Sequence, residues 1–170
     1  PMVRGLALRS LCSLRLPSVL EYISAPLKAS LNDSHSYVRK TGVMGILKVY
    51  HMDADLVRGS DMVDVLYNML RDSDGLVVAN CIVVLDEIML EEGGIAINTA
   101  IVHHLLSRLN DFNEWGLCAV LKLVARYEPA SDEETFQVMN VLDPVLRTSN
   151  SGVVLEAIGC FVQLTKNLPE

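Results

Sequence analysis

The sequence predicts an all-α solenoid of helical-hairpin repeats, and three observations carry that prediction. Five segments superpose at nearly constant spacing, each collects its apolar residues on one side of a helix, and a further apolar-periodic segment separates each pair. Hydrophobic residues make up 51% of the chain but aromatics only 5%, so the apolar mass is aliphatic. That balance suits packed helices better than an aromatic-rich β-sandwich.

The five repeated segments are 2–15, 36–50, 76–90, 114–128 and 152–166. With Val3, Val38, Val77, Gly116 and Val153 as the common origin, successive spacings are 35, 39, 39 and 37 residues. Five residues on come Leu8, Val43, Ile82, Leu121 and Ile158. Eight on are Leu11, Ile46, Leu85, Val124 and Phe161, and eleven on are Leu14, Val49, Ile88, Tyr127 and Leu164. These offsets fall on one face of a 3.6-residue helix. The offset of four is small in most repeats (Ala7, Gly42, Cys81, Ala157, with Val120 larger), which lets neighbouring helices approach closely.

The intervening helices are expected over 18–32, 61–72, 98–110 and 132–148. Turn and cap residues precede the repeated helices: Asn32-Asp33-Ser34, Asp72-Ser73-Asp74-Gly75, Asn110-Asp111 and Ser149-Asn150-Ser151. Ser131 with Glu134 has the spacing of a capping box. Pro26 and Pro144 lie within apolar-periodic stretches, where they are expected to kink or interrupt the helix. Gly93-Gly94 reads as a turn between helices.

Two helices repeating every 35 to 39 residues define an α-solenoid. The tetratricopeptide pattern is missing, and the Asp33-to-Arg39 opening is of HEAT type, with armadillo the near competitor. Residues 1–170 therefore read as one solenoid segment of about four and a half repeats, bounded 2–15, 17–50, 52–90, 97–128 and 131–168. Because the chain begins without Met inside a periodic helix, it is expected to be a fragment of a longer trunk.

No catalytic constellation is expected: neither a Gly-rich phosphate loop nor G-x-S-x-G occurs. The chain is accordingly read as a non-enzyme with no cofactor. Cys12, Cys81, Cys118 and Cys160 are widely spaced within apolar patterns, the signature of buried thiols in a reducing compartment rather than a zinc site. His103 and His104 point about 100° apart on a helix, so they cannot grip one metal from the same face. The net charge of −7 disfavours nucleic acid as a partner, and no apolar run approaches the roughly 18 residues of a membrane span.

What remains is protein binding. Tyr37, Arg39 and Lys40 open one repeated helix, and Arg4 is the equivalent of Arg39. Such an arginine ladder either meets an acidic partner or bonds between repeats and holds the stack together. Trp115, the sole tryptophan, either anchors an interface or packs between repeats. Leu6, Leu11 and Leu14 form an apolar stripe on the first helix, open to a neighbouring repeat.

Residue by residue, the stretches 3–43, 70–88, 109–116 and 149–161 resemble the trunk of the β-adaptins, large subunits of the heterotetrameric vesicle adaptor complexes. The distinctive elements are R-x-L-A-L-R, EYI-x-x-P-L, YVRKT, VVAN and EWG, in order. EEGGIAIN followed by HHLLSRLN is more similar to the branch found in the fourth adaptor complex than to the clathrin-associated branches. The resemblance implies a scaffold for protein sorting in vesicle-mediated transport. It implies a second large, a medium and a small subunit as partners, and an Arf-type GTPase contacted through upstream repeats. Location would be cytoplasmic, on trans-Golgi or endosomal membranes, with peripheral membrane association through the complex only. The competing reading is another HEAT scaffold, a nuclear-transport receptor or a phosphatase regulatory subunit.

Overall fold

The computed structural model describes residues 1–14 and 16–166, so the expected repeat boundaries at 15 and 168 lie outside the described residues. The described residues form α-helices and short 3-10 segments, arranged as helical hairpins of the HEAT/armadillo solenoid class. They gather into two compact units, Pro1–Gly94 and Ile95–Glu170.

Unit 1 is built from α1 (Met2–Leu11), α2 (Leu20–Leu31), α3 (Ser36–Tyr50), α4 (Ala54–Arg58), α5 (Met62–Met69) and α6 (Gly75–Ile88). The repeated helices α1, α3 and α6 lie side by side, with α3 central and packed against α1, α2 and α6. Its stripe explains this: Val38, Val43, Ile46 and Val49 are all buried. Each such side chain contributes roughly 1.5–3 kcal/mol of transfer free energy. α6 repeats the pattern with Val77, Ile82, Leu85 and Ile88.

The close approach expected at the small fourth offset is realised at Gly42. A Cβ added there would collide with the Ser30 hydroxyl oxygen and lie 3.1 Å from Leu31 Cδ2. At Gly5 a Cβ would run into the Tyr37 ring, and at Gly45 it would come within 2.7 Å of Leu27. Glycines at these three places let α2 and the Tyr37 ring rest directly on helix backbone.

Unit 2 comprises α7 (Thr99–Leu106), α8 (Glu114–Val124), α9 (Asp132–Leu142) and α10 (Ser151–Thr165). α10 packs on α8 and α9, over a core that includes Leu121, Val124, Val138, Leu142, Val153, Ala157 and Leu164. The Cys160 thiol is buried in this core and donates to the Leu121 carbonyl at 3.0 Å.

Several local expectations are corrected. Pro26 does not interrupt α2, which runs from Leu20 to Leu31. The proline lacks the amide that would bond the carbonyl of Tyr22, a residue 73% exposed. Pro144, by contrast, lies in a 3-10 turn over Asp143–Arg147, and α9 stops at Leu142. The helix expected from 61 is preceded by the short α4, capped by Asp53, whose carboxylate accepts from the Leu56 amide at 2.9 Å. Only Val57 of α4 is buried, which leaves no apolar period to read.

The caps of the repeated helices sit one to three residues later than some of the expected turns. His35, Asp74, Asn113 and Asn150 accept from the first-turn amides of α3, α6, α8 and α10. Gly93 and Gly94 take left-handed backbone, with φ of 91° and 90°, so the requirement for glycine there is conformational.

Candidate protein-binding surface

The two ladder arginines reach carboxylates on the following hairpin. Arg4 binds Asp33 through both Nε and Nη2, at 2.8 and 3.0 Å. Arg39 binds Asp72 in the same bidentate manner at 2.7 and 2.8 Å, and its Nη1 donates to the Asp33 carbonyl at 2.9 Å. Each aspartate also folds its own turn, Asp33 accepting from the His35 amide and Asp72 from the Asp74 amide. One side chain therefore shapes the loop before a repeated helix and ties it to the preceding one. Hydrogen bonding to Arg4 holds the Asp33 carboxyl below the usual carboxylate range, with the His35 amide adding to the effect.

Exposure separates the two rungs. The Arg4 side chain is 57% exposed, whereas those of Arg39 and Asp72 are 15% and 8% exposed. Arg39 is thus committed to joining hairpins, while Arg4 keeps a face to solvent. Tyr37 lies over Gly5 of α1, and the Lys40 ammonium stands 5.5 Å from the Tyr37 ring centroid. Trp115, at the first turn of α8, is 85% exposed. The structure brings Arg4, Tyr37, Arg39 and Lys40 together on unit 1, and Trp115 belongs to unit 2.

Tyr37 and Lys40 line a groove of about 440 Å³ between α1, α3 and α6, whose other walls include Arg9, Met44, Lys48 and Leu76. Those four residues were not singled out in the sequence. Met44 and Lys48 recur with Tyr37 and Lys40 at helical spacing along α3, opposite the buried stripe, whereas Arg9 and Leu76 come from α1 and α6 and no local pattern joins them to α3.

Unit 2 carries a compact polar cluster. Glu134 accepts from the Tyr127 hydroxyl at 2.6 Å and from the Ala130 amide at 2.8 Å, and His103 Nε2 lies 2.9 Å from it. Thr99 completes the chain by hydrogen bonding the Tyr127 hydroxyl at 2.8 Å. The Glu134 amide donates to Ser131 Oγ, but the carboxylate returns to Ala130 rather than to Ser131, a capping box displaced by one residue. His104 turns elsewhere, its Nε2 buried without a hydrogen-bond partner.

Hydrogen bonds from Tyr127, then His103, then the Ala130 amide lower the Glu134 carboxyl to about 2. A folded value below the unfolded one means that Glu134 stabilises the fold above the unfolded value, and that this contribution fades as pH falls toward 2. Thermal melts from pH 6 to pH 2.5 are therefore expected to fall less steeply in Glu134→Gln than in the parent chain. Parallel profiles would contradict this role.

Among the described residues, no three His, Cys, Asp or Glu side chains gather as metal ligands, and no helix is long and apolar enough to cross a membrane. Cys12, Cys81 and Cys160 are buried as expected, whereas Cys118 is half-exposed. Burial pushes the Cys160 thiol up to about 12.

Residues 2–163 match the family model Cnd1, described as non-SMC mitotic condensation complex subunit 1. Among curated proteins, the chain is 47% identical over 169 residues to mouse AP-4 complex subunit beta-1, covering 99% of this chain and 23% of that protein. The family model places the chain in the Cnd1 family, and the relatives identify it as a segment of the β-adaptins. Other relatives of this β-adaptin segment include Beta-adaptin-like protein A of Arabidopsis thaliana, 39% identical over 181 residues, all of this chain and 22% of that one. Human AP-1 complex subunit beta-1 is 32% identical over 171 residues, 99% of this chain and 18% of its own. The chain thus spans about a fifth of the length of these relatives.

The family model and the relatives differ in name. A repeat pattern is common to scaffolds of many kinds, whereas 47% identity along nearly the whole chain is a residue-level likeness, and it favours β-adaptin over other HEAT scaffolds. Two crystal structures of engineered proteins share the fold alone, with TM-scores of 0.57 and 0.58 at 17% and 13% identity. They align over 95% and 96% of this chain and 72% and 75% of their own.

Proposed function

We propose that this β-adaptin segment is part of a scaffold subunit of a vesicle adaptor complex and acts in intracellular protein sorting by binding proteins, without turnover. The carrying observation is its 47% identity, across 99% of its length, to a protein named as a subunit of the AP-4 complex. The partners are a second large subunit, a medium and a small subunit. Membrane association is peripheral and runs through the assembled complex at trans-Golgi or endosomal membranes, with an Arf-type GTPase engaged through repeats upstream of Pro1. The candidate binding residues are Tyr37 and Lys40 on unit 1, with Arg4 on the same unit and Arg39 holding its hairpins together, and, separately, Trp115 on unit 2.

Affinity capture from cytosol with the full-length β subunit, followed by mass spectrometry, tests the reading. Recovery of a second large, a medium and a small adaptor subunit is expected, with at least threefold less in Trp115→Ala or Lys40→Glu if those residues touch them. Recovery of nuclear-import cargo or phosphatase subunits in their place would overturn it.

A further inference from the structure

The groove between α1, α3 and α6 differs chemically from the rest of an acidic chain. Its charged walls are Arg9, Lys40 and Lys48, with no carboxylate among the residues that line it. The chain as a whole has a net charge of −7. Elsewhere in unit 1, Arg4, Lys28, Arg39 and Arg58 each pair with an aspartate or glutamate. Lys48 instead donates to the Ser13 hydroxyl at 2.7 Å, and Lys40 faces the Tyr37 ring. Neither of these contacts neutralises an ammonium, so the groove presents positive charge that the fold itself does not consume.

Between the cations lie apolar surfaces. Met44 is 37% and Leu76 41% exposed, and the Tyr37 ring is half-buried beside them. A second cavity, lined by Cys12, Ser13, Lys48, His51 and Met52, shares Cys12 and Lys48 with the first and extends it along α3. From Tyr37 to His51 the trough follows the helix for about 21 Å at 1.5 Å per residue. An extended strand at about 3.3 Å per residue would occupy it with roughly six residues.

We propose that this trough docks an extended acidic peptide segment of a partner protein, its carboxylates meeting Arg9, Lys40 and Lys48 and its apolar side chains meeting Tyr37, Met44 and Leu76. Tyr37, Lys40, Met44 and Lys48 interleave apolar and basic groups along α3, so a peptide that carries both acidic and apolar residues offers a partner to each. Charge complementarity selects the sign of the ligand, and the interleaved apolar contacts favour a peptide over a free phosphate or a lipid headgroup. The inference deepens the scaffold reading by naming a ligand class for one face, and depends on it only in that the chain works by binding.

The test is fluorescence anisotropy of the full-length β subunit with a labelled octapeptide alternating glutamate and leucine. A lysine–leucine octapeptide and vesicles containing phosphatidylinositol phosphates serve as competing probes. The acidic peptide is expected to bind, to weaken at least tenfold in Arg9→Glu/Lys48→Glu, and to weaken further as salt rises. Lys166→Glu, outside the trough, is expected to leave binding unchanged, and a melting temperature near the parent's shows that the double variant is folded. Equal affinity for both peptides, an unchanged affinity in the double variant, or binding of vesicles but not of peptide would each overturn the proposal. Capture of adaptor subunits without peptide binding would remove this inference alone, while peptide binding without those subunits would remove only the adaptor reading.

Discussion

Arg39→Ala is expected to destabilise unit 1 by about 3 kcal/mol, the cost of removing one member of a mostly buried ion pair. Asp72 is only 8% exposed at its side chain, so water cannot readily replace the two lost guanidinium bonds. The Asp33 carbonyl loses a donor as well, which loosens the turn before α3. In a domain of this size the loss corresponds to a fall in melting temperature of roughly 10 °C.

The equivalent change at Arg4, whose side chain is more than half exposed, is expected to move the melt little. Replacing both Arg39 and Asp72 by leucine should recover only part of the stability, because the Asp74 amide then loses its acceptor and the Asp33 carbonyl its donor. Differential scanning calorimetry of the three variants decides the matter. Near-equal melts for Arg39→Ala and the parent would mean that the rung contributes little.

Gly42→Ala is expected to destabilise by about 1–2 kcal/mol, although alanine is the better helix former. The propensity gain is about 1 kcal/mol in an unobstructed helix. Against it stands overpacking, typically 1–3 kcal/mol, at a point where the new methyl collides with the Ser30 hydroxyl. Ser30 cannot turn aside cheaply. It is buried, and its hydroxyl donates to the Leu27 carbonyl at 2.6 Å. Removing the obstruction in Gly42→Ala/Ser30→Gly should recover part of the loss, since both the hydroxyl and the Cβ at 3.2 Å are then absent. Chemical denaturation of the single and double variants measures the coupling. Additive effects would show that the two residues do not oppose each other.

The repeat itself was legible because burial leaves a period: Val38, Val43, Ile46 and Val49 announce α3 and the same offsets announce α6 and α8, whereas in α10 Val153 and Leu164 are buried but Ile158 is 47% exposed. The short α4 was not legible, because five residues with one buried side chain carry no period. Of the two outcomes open to Pro26, interruption is the one the fold rules out, since α2 runs through it from Leu20 to Leu31. The ladder arginines were visible as a pair of equivalent positions. That Arg39 serves the stack required the partner, Asp72, lying 33 residues away. The basic groove was half visible, through Tyr37 and Lys40. Arg9, Lys48 and Leu76 joined it only when α1, α3 and α6 were set side by side.

Each rung joins a fixed position in one repeat to a fixed position in the next, so the hairpins are not interchangeable modules. The helix position that holds Arg4 and Arg39 is occupied by Val78 in α6. A transposition that set α6 before the loop of Asp33 or Asp72 would face that carboxylate with a valine methyl. A backbone that repeats can be cut and rejoined at many points, but these side chains give each hairpin an address, and gene rearrangements that shuffle or duplicate repeats would have to carry acid and base across the junction together.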